Sequence, residues 1–186
     1  TAEIFARKSG VFAGLKESLS LLAESRVEIW ALPEGESFER KEVIMRIKGS
    51  YEQFGLFETP LLGILASSSG WATAAREISE AAGESAVTVF GARHVHPAVA
   101  PVMEYAALIG GVNGASCVLG AKAAGLEPSG TAPHALFLIA GDTVKAAIAY
   151  DECMPPSSAR LILIDTFKDE AEESLRLARA MQGHLM

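Results

Sequence analysis

Four short stretches concentrate side chains able to bind or transform a small anionic ligand. They are Arg93, His94 and His96 in FGARHVHP, Asn113 in GGVNG, Thr131 and His134 in SGTAPH, and Asp165 with Thr166 in ILIDT. An arginine offers a permanent cation and a planar fork of donors to a carboxylate or phosphate. A histidine changes charge near neutral pH, so it can carry a proton or act as a nucleophile. An aspartate that ends a buried strand can bind Mg2+ or a sugar hydroxyl, or cap the next helix.

Each of these residues also has a plain structural reading. His134 beside Pro133 can be a satisfied structural histidine, His94 and His96 polar turn residues, and Phe90 a core aromatic. The functional reading gains weight because all four stretches fall where strands are expected to end. Ligands bind at that end in α/β folds. A metal site using His94 and His96, with His134 or Asp165 as further ligands, is a second reading. Two histidines two apart point the same way on a strand, but Pro97 follows at once and puts the pair in a turn. No Walker motif, GxGxxG after a strand or GxSxG elbow is present. GGVNG is a weak phosphate-loop signal.

The elements expected to position these groups change character along the chain. Strands are expected at 2–7, 27–32 and 43–47, a helix at 15–24 and a turn at PEGE, 33–36. Helix follows from 51 to 82, broken near Thr59 and Pro60, with Thr59 as a cap and Gly83 as the stop. Its stripe reads Leu61, Leu62, Leu65, Ala72, Ala75 and Ile78. Strand and helix then alternate. A strand at 87–90 leads to a helix opened by Pro97 (97–108), a short strand near Ala115 and helices at 117–124, 133–139 and 143–152, the last capped by Asp142. A strand at 161–164 and a helix at 169–181 complete the pattern. The final helix places acids first and bases last, suiting the helix dipole, and its charges read as a solvated face. Its expected apolar face is Ala171, Leu175, Ala178 and Met181.

This order predicts an α/β fold: a small α+β N-terminal domain over 1–85, then part of an incomplete (β/α) barrel over 86–186. A full barrel takes about 250 residues, and this segment holds only about four units. Of 186 residues, 49% are hydrophobic and 21% charged, which suits a globular chain and excludes a disordered one. The net charge of −7 gives no long-range attraction to nucleic acid or an anionic membrane. Cys117 and Cys153 form no CxxC and read as reduced thiols of a cytoplasmic protein. No signal peptide is visible, and the low-charge stretch Tyr105 to Gly120 is too rich in glycine for a membrane helix.

The same segments resemble the nicotinate phosphoribosyltransferase family. FGARHVHP from Phe90, IGGVNGAS from Ile109, PSGTAPHAL from Pro128 and LIDTFKDE from Leu163 are similar to its successive active-site segments. AEIFARKSGVFAG from Ala2 and WALPEGE from Trp30 are similar to its N-terminal domain, so the resemblance covers essentially the whole chain. The RKT motif of the related quinolinate enzymes is absent. The resemblance implies that nicotinate and phosphoribosyl pyrophosphate combine to give nicotinate mononucleotide and pyrophosphate, coupled to ATP hydrolysis, in NAD biosynthesis or salvage. It implies Mg2+ with phosphoribosyl pyrophosphate, ATP as co-substrate, no resident metal site, and a homodimer or higher homo-oligomer. Phe90 would stack on the pyridine ring, Arg93 would offer charge to a carboxylate or phosphate, and Asn113 and Thr131 would contact substrate. His134 would be transiently phosphorylated, and Asp165 would bind ribose hydroxyls directly or through Mg2+. Two departures stand out: Asn113 lies where an acid is often found, and later strands of the barrel, an Arg-x-Asp motif after Met186 and a short N-terminal segment are absent. The chain is therefore expected to be part of a longer protein. A metal-dependent barrel hydrolase built on His94, His96 and Asp165, and a family member without catalysis, are the alternatives.

Overall fold

The structure is a computed structural model that describes residues 1–167 and 169–182. Lys168, inside the LIDTFKDE segment, lies outside the described residues. The chain divides into two compact units, Thr1–Ser129 and Gly130–Met186. The architecture is the expected mixed α/β one, with a small sheet domain first and βα structure after it. Among the described residues no closed barrel forms.

The first unit opens with β1 (Ala2–Phe5), β2 (Gly10–Val11), α1 (Leu15–Leu21), β3 (Glu28–Ala31), β4 (Ser37–Phe38) and β5 (Val43–Lys48). β5 is central in the antiparallel order β1-β5-β3, with Ile29 opposite Ile47 and Ile4 opposite Met45. Met45 and Ile47 are buried at 1%, as their alternation predicts, and pack with Phe12, Phe38 and Leu65. Between the first strand and α1, the segment Gly10–Val11 contributes β2 to a small ladder with β4.

Glu34 of the PEGE turn ties this layer together. Its Oε1 accepts the backbone N–H groups of Gly14 and Leu15, at 2.9 Å each. Its Oε2 accepts the Tyr105 hydroxyl at 3.2 Å. α1 thus takes its cap from another segment, because Gly14 has no side chain to supply one.

The expected break near Thr59 and Pro60 falls at Phe57, where the 3-10 turns Tyr51–Gln53 and Gly55–Phe57 give way to the α-helix, and Thr59 is not its cap. α2 runs unbroken over Glu58–Ala82. Pro60 sits in the first turn, where a missing N–H costs nothing, so it starts the helix instead of splitting it. The buried face is Leu61, Leu65, Ser68, Ser69, Ala72 and Ala75, while Leu62 and Ile78 are exposed. The helix uses serine and alanine where it meets its neighbours, and hydropathy alone gives these little weight. Ser69 Oγ, for example, receives the Ala13 N–H at 3.2 Å.

The parallel part of the first unit holds β6 (Thr88–Val89), α3 (Ala100–Gly110), β7 (Gly114–Ala115) and α4 (Val118–Ala123). β6 and β7 pair in parallel, Thr88 with Gly114 and Val89 with Ala115. α3 begins three residues later than expected, after a 3-10 turn at Ala92–His94, with Pro101 in its first turn. α3 packs on α2 so closely that a Cβ at Gly110 would lie 2.3 Å from the Ala72 carbonyl oxygen. The double glycine therefore needs no phosphate to explain it. Gly110 permits helix contact, and Gly111, at φ +119°, ends the helix.

The second unit holds α5 (His134–Ala140), α6 (Thr143–Cys153) and α7 (Glu170–Ala180). Asp142 caps α6 by accepting the Lys145 N–H at 2.9 Å, as predicted. Among the described residues the stretch expected as a strand, Leu161–Ile164, forms no ladder; the Leu161 C=O accepts the Ala132 N–H at 3.1 Å. Local β preference favours an extended shape, but a strand also needs a neighbour in register.

α7 departs from its expected face. Glu173, Leu177 and Met181 are buried at i, i+4 spacing, whereas Leu175 is 57% exposed. Nor are its charges all solvated. Arg176 donates to both Glu173 and Asp142. The Arg176 guanidinium, then the Lys145 N–H, holds the Asp142 carboxyl below its ordinary value. The Thr143 hydroxyl and then Arg176 do the same for Glu173. Thr143 Oγ1 and Glu173 Oε2 are buried without a hydrogen bond of full geometry, so Arg176 is the better defined partner.

Two outcomes test these contacts. Gly110→Ala should gain nearly 1 kcal/mol of helix propensity yet destabilise the full-length protein by about 2 kcal/mol net, because the new methyl meets backbone; chemical denaturation measures this. Arg176→Met should lower the thermal midpoint at pH 7. Both carboxyls are depressed from ordinary values of 3.8 and 4.5, so their contribution is full above that range and is lost as pH falls through the lower folded values. The gap between wild type and variant should therefore shrink below pH 3.8.

Candidate active site

In the first unit, β6 stops at Val89 and delivers Phe90 and the Ala92–His94 turn to its C-terminal end. The turn is closed by His94 N–H donating to Gly91 C=O at 2.9 Å. Phe90 is 47% exposed, so it is a surface aromatic and not the core residue of its structural reading. Arg93, His94 and His96 are exposed too. The histidines lie in the turn region, not on a strand, and His96 Nδ1 accepts the Ala98 N–H at 3.2 Å. Among the described residues, no group of three or more His, Cys, Asp or Glu is placed to hold a metal ion.

Asn113 stands at the opposite end of the same strand pair. Its Oδ1 accepts the Val87 N–H at 2.8 Å, and its own N–H donates to Val87 C=O at 2.8 Å. Val87 precedes Phe90 by three residues, about 10 Å of extended chain. The Asn113 carbonyl oxygen is therefore committed to starting the β6–β7 ladder. At the other end, Ser116 N–H donates to Val89 C=O at 3.2 Å, so Ser116 is the β7-side neighbour of Phe90.

Beneath this end lies a residue that sequence reading missed. Glu104 of α3 is fully buried, accepting the Ser116 hydroxyl at 2.7 Å and the Cys117 N–H at 2.5 Å. A lone carboxylate in an otherwise apolar helix was its only signal. α4 packs on it through Gly120, where a Cβ would come within 3.1 Å of the Glu104 Cβ.

In the second unit, His134 opens α5, with Pro133 extended before it. Its Nδ1 lies 3.0 Å from Thr166 Oγ1 and its Nε2 3.9 Å from Asp165 Oδ1. Both His134 and Asp165 side chains are about half exposed, so the ring can meet a ligand. Thr131 is also exposed, while Ala132 between them is fully buried. A histidine anchored on one nitrogen with a carboxylate near the other can accept a proton or a phosphoryl group. The chain bearing Asp165 is anchored upstream by Arg160, whose guanidinium donates to Asp151 Oδ1 at 2.7 Å. It also donates to the carbonyls of Asp151, Met154, Pro155 and Ser158.

The first unit thus joins a small antiparallel sheet and a long helix to a parallel β6–α3–β7 unit with Phe90 and Arg93 following its first strand. Residues 1–69 match the family model described as quinolinate phosphoribosyl transferase, N-terminal domain, and residues 71–181 match that of the C-terminal domain. The chain belongs to the quinolinate phosphoribosyltransferase family. It is 30% identical over 151 residues to nicotinate phosphoribosyltransferase of Bacillus subtilis (strain 168), covering 81% of this chain and 31% of that protein. The crystal structure of nicotinate-nucleotide pyrophosphorylase from Pyrococcus furiosus is 42% identical with a TM-score of 0.93, covering 98% of this chain and 49% of that one. Human nicotinic acid phosphoribosyltransferase shares the fold at 21% identity and a TM-score of 0.68, over 74% of this chain and 35% of that one. The chain thus spans between 31% and 49% of the length of these relatives.

The anchoring of the Asp165 segment is testable. Arg160 is only 13% exposed, so Arg160→Met should cost about 2–3 kcal/mol through its lost charged hydrogen bonds. Hydrogen exchange should show faster exchange at Ala132, whose N–H is held by Leu161.

Proposed function

We propose that the full-length protein transfers the phosphoribosyl group of phosphoribosyl pyrophosphate to a pyridine carboxylate, nicotinate in the first place, in NAD biosynthesis or salvage. The carrying observation is His134, anchored by Thr166 at 3.0 Å and neighboured by Asp165 at 3.9 Å, at the start of α5. The family membership and the names of the similar proteins support the reaction class. They divide between nicotinate phosphoribosyltransferase and nicotinate-nucleotide pyrophosphorylase, so quinolinate is the competing substrate.

In this reading the ring nitrogen of nicotinate bonds to C1 of the ribosyl group as the bond to pyrophosphate breaks. Charge develops on the ribosyl carbon and on the departing pyrophosphate, so catalysis rests on positioning and electrostatics. Phe90, already exposed, stacks on the pyridine, and Arg93 supplies cationic charge to a carboxylate or phosphate. Thr131 contributes a hydroxyl to the substrate. Asp165 binds the ribose hydroxyls, or Mg2+ carried by the pyrophosphate. A single exposed carboxylate suits Mg2+, which takes one or two carboxylates together with substrate phosphates. His134 takes the γ-phosphoryl group of ATP and loses it to water as product forms, giving ADP and phosphate. The working form is a cytoplasmic homodimer or higher homo-oligomer.

A product assay on the longest natural form of the protein tests this. With nicotinate, phosphoribosyl pyrophosphate, Mg2+ and ATP, wild type should form nicotinate mononucleotide. His134→Ala should lose the stimulation by ATP while keeping residual turnover. Product from quinolinate alone would replace nicotinate as substrate and remove the ATP-linked role of His134. No product from nicotinate, nicotinamide or quinolinate would sink the transferase reading.

A further inference from the structure

A fully buried carboxylate is costly unless it is matched by donors, and Glu104 is matched by two of different kinds. The Cys117 N–H can only donate. The Ser116 hydroxyl can donate or accept, and here it donates to Glu104 Oε1 at 2.7 Å. Its hydrogen is thereby fixed inward, and its free lone pairs are left for whatever occupies the end of the strand pair. Ser116 is half-buried and lies at that end beside Phe90, whereas the Asn113 carbonyl is occupied at the far end. At the Phe90 end of the strand pair, the polar side chain that β7 can offer a ligand is therefore that of Ser116.

We propose that Ser116 is a ligand-contacting residue of this site and that Glu104 is a positioning residue, fixing Ser116 as a hydrogen-bond acceptor for an O–H or N–H donor of the substrates. This rests on the phosphoribosyltransferase reading above. Two sources carry such a donor: a ribosyl hydroxyl of phosphoribosyl pyrophosphate, or the carboxamide of a pyridine amide. A pyridine carboxylate has none to offer.

Substituting Glu104 with glutamine makes the test sharp. The amide oxygen must turn to the Cys117 N–H, which leaves the amide N–H2 facing Ser116. The serine oxygen would then accept from inside and its hydrogen would point outward, reversing its polarity towards the ligand.

The experiment is steady-state kinetics on the full-length protein with phosphoribosyl pyrophosphate and with nicotinate and nicotinamide in turn. Ser116→Ala should raise KM about 3- to 10-fold, the loss of one hydrogen bond. The rise falls on phosphoribosyl pyrophosphate if the donor is a ribosyl hydroxyl, and on nicotinamide but not nicotinate if it is the amide. Glu104→Gln should raise the same KM, and should add nothing in the Ser116→Ala background. A purely structural Glu104 would instead shift every KM and the thermal midpoint together, independently of Ser116, and that pattern overturns the proposal. So does a Ser116→Ala enzyme with all three KM values unchanged. Should wild type turn over no pyridine at all, the transferase reading fails by itself. Calorimetric titration with phosphoribosyl pyrophosphate and with nicotinamide then decides this point: weaker binding of either one by Ser116→Ala supports it, and equal or absent binding of both overturns it.

Discussion

The approach of α3 to α2 at Gly110 is the constraint on which the rest of the first unit depends. With a Cβ there placed 2.3 Å from a backbone oxygen, only glycine lets the two helices meet at this distance. The contact brings the 25-residue α2, whose other end buries Leu61 and Leu65 in the antiparallel sheet's core, against the helix that joins β6 to β7. Small residues dominate the seam: Ala72, Ala75, Ala106 and Ala107 are all buried. Dispersion between closely fitted surfaces, more than large side chains, holds this part of the molecule.

The candidate ligand-binding ends are held mostly by single polar anchors. Asn113 pins the beginning of β6, Glu104 pins the end of β7, and Glu34 links the PEGE turn to α1 and α3. In the second unit Arg160 ties the end of α6 to the segment that follows it, and Thr166 anchors the His134 ring. Short strands cannot do this work. β6 and β7 are two residues each and form few ladder bonds. Side-chain bonds, from the fully buried Glu104 to the exposed Asn113 and His134, take over the task of fixing the loops, which suits a site that works by positioning.

Much of the architecture was legible because it depends on local signals. The alternation in β5, the Asp142 cap and the stop at Gly83 all sit where side-chain period and capping chemistry place them. The places where expectation failed share a cause. Thr59 read as a cap because the position of the helix start was unknown. Leu161–Ile164 read as a strand because β preference cannot supply a partner. Leu175 read as buried and Glu173 as solvated because the period of a helix does not say which side its neighbours take.

The sequence by itself determined the α/β class, the likeness of its four motifs to phosphoribosyltransferases, and the chemical types present at Phe90, Arg93, His134 and Asp165. Those follow from residue identity and short-range spacing. Tertiary structure alone decided what each polar group is free to do. Asn113 and Ser116 sit three residues apart in one glycine-rich stretch, on either side of β7, with nothing local to tell their roles apart. Their partners, Val87 and Glu104, lie 26 and 12 residues away, and a hydrogen bond's availability depends on which distant group already occupies it.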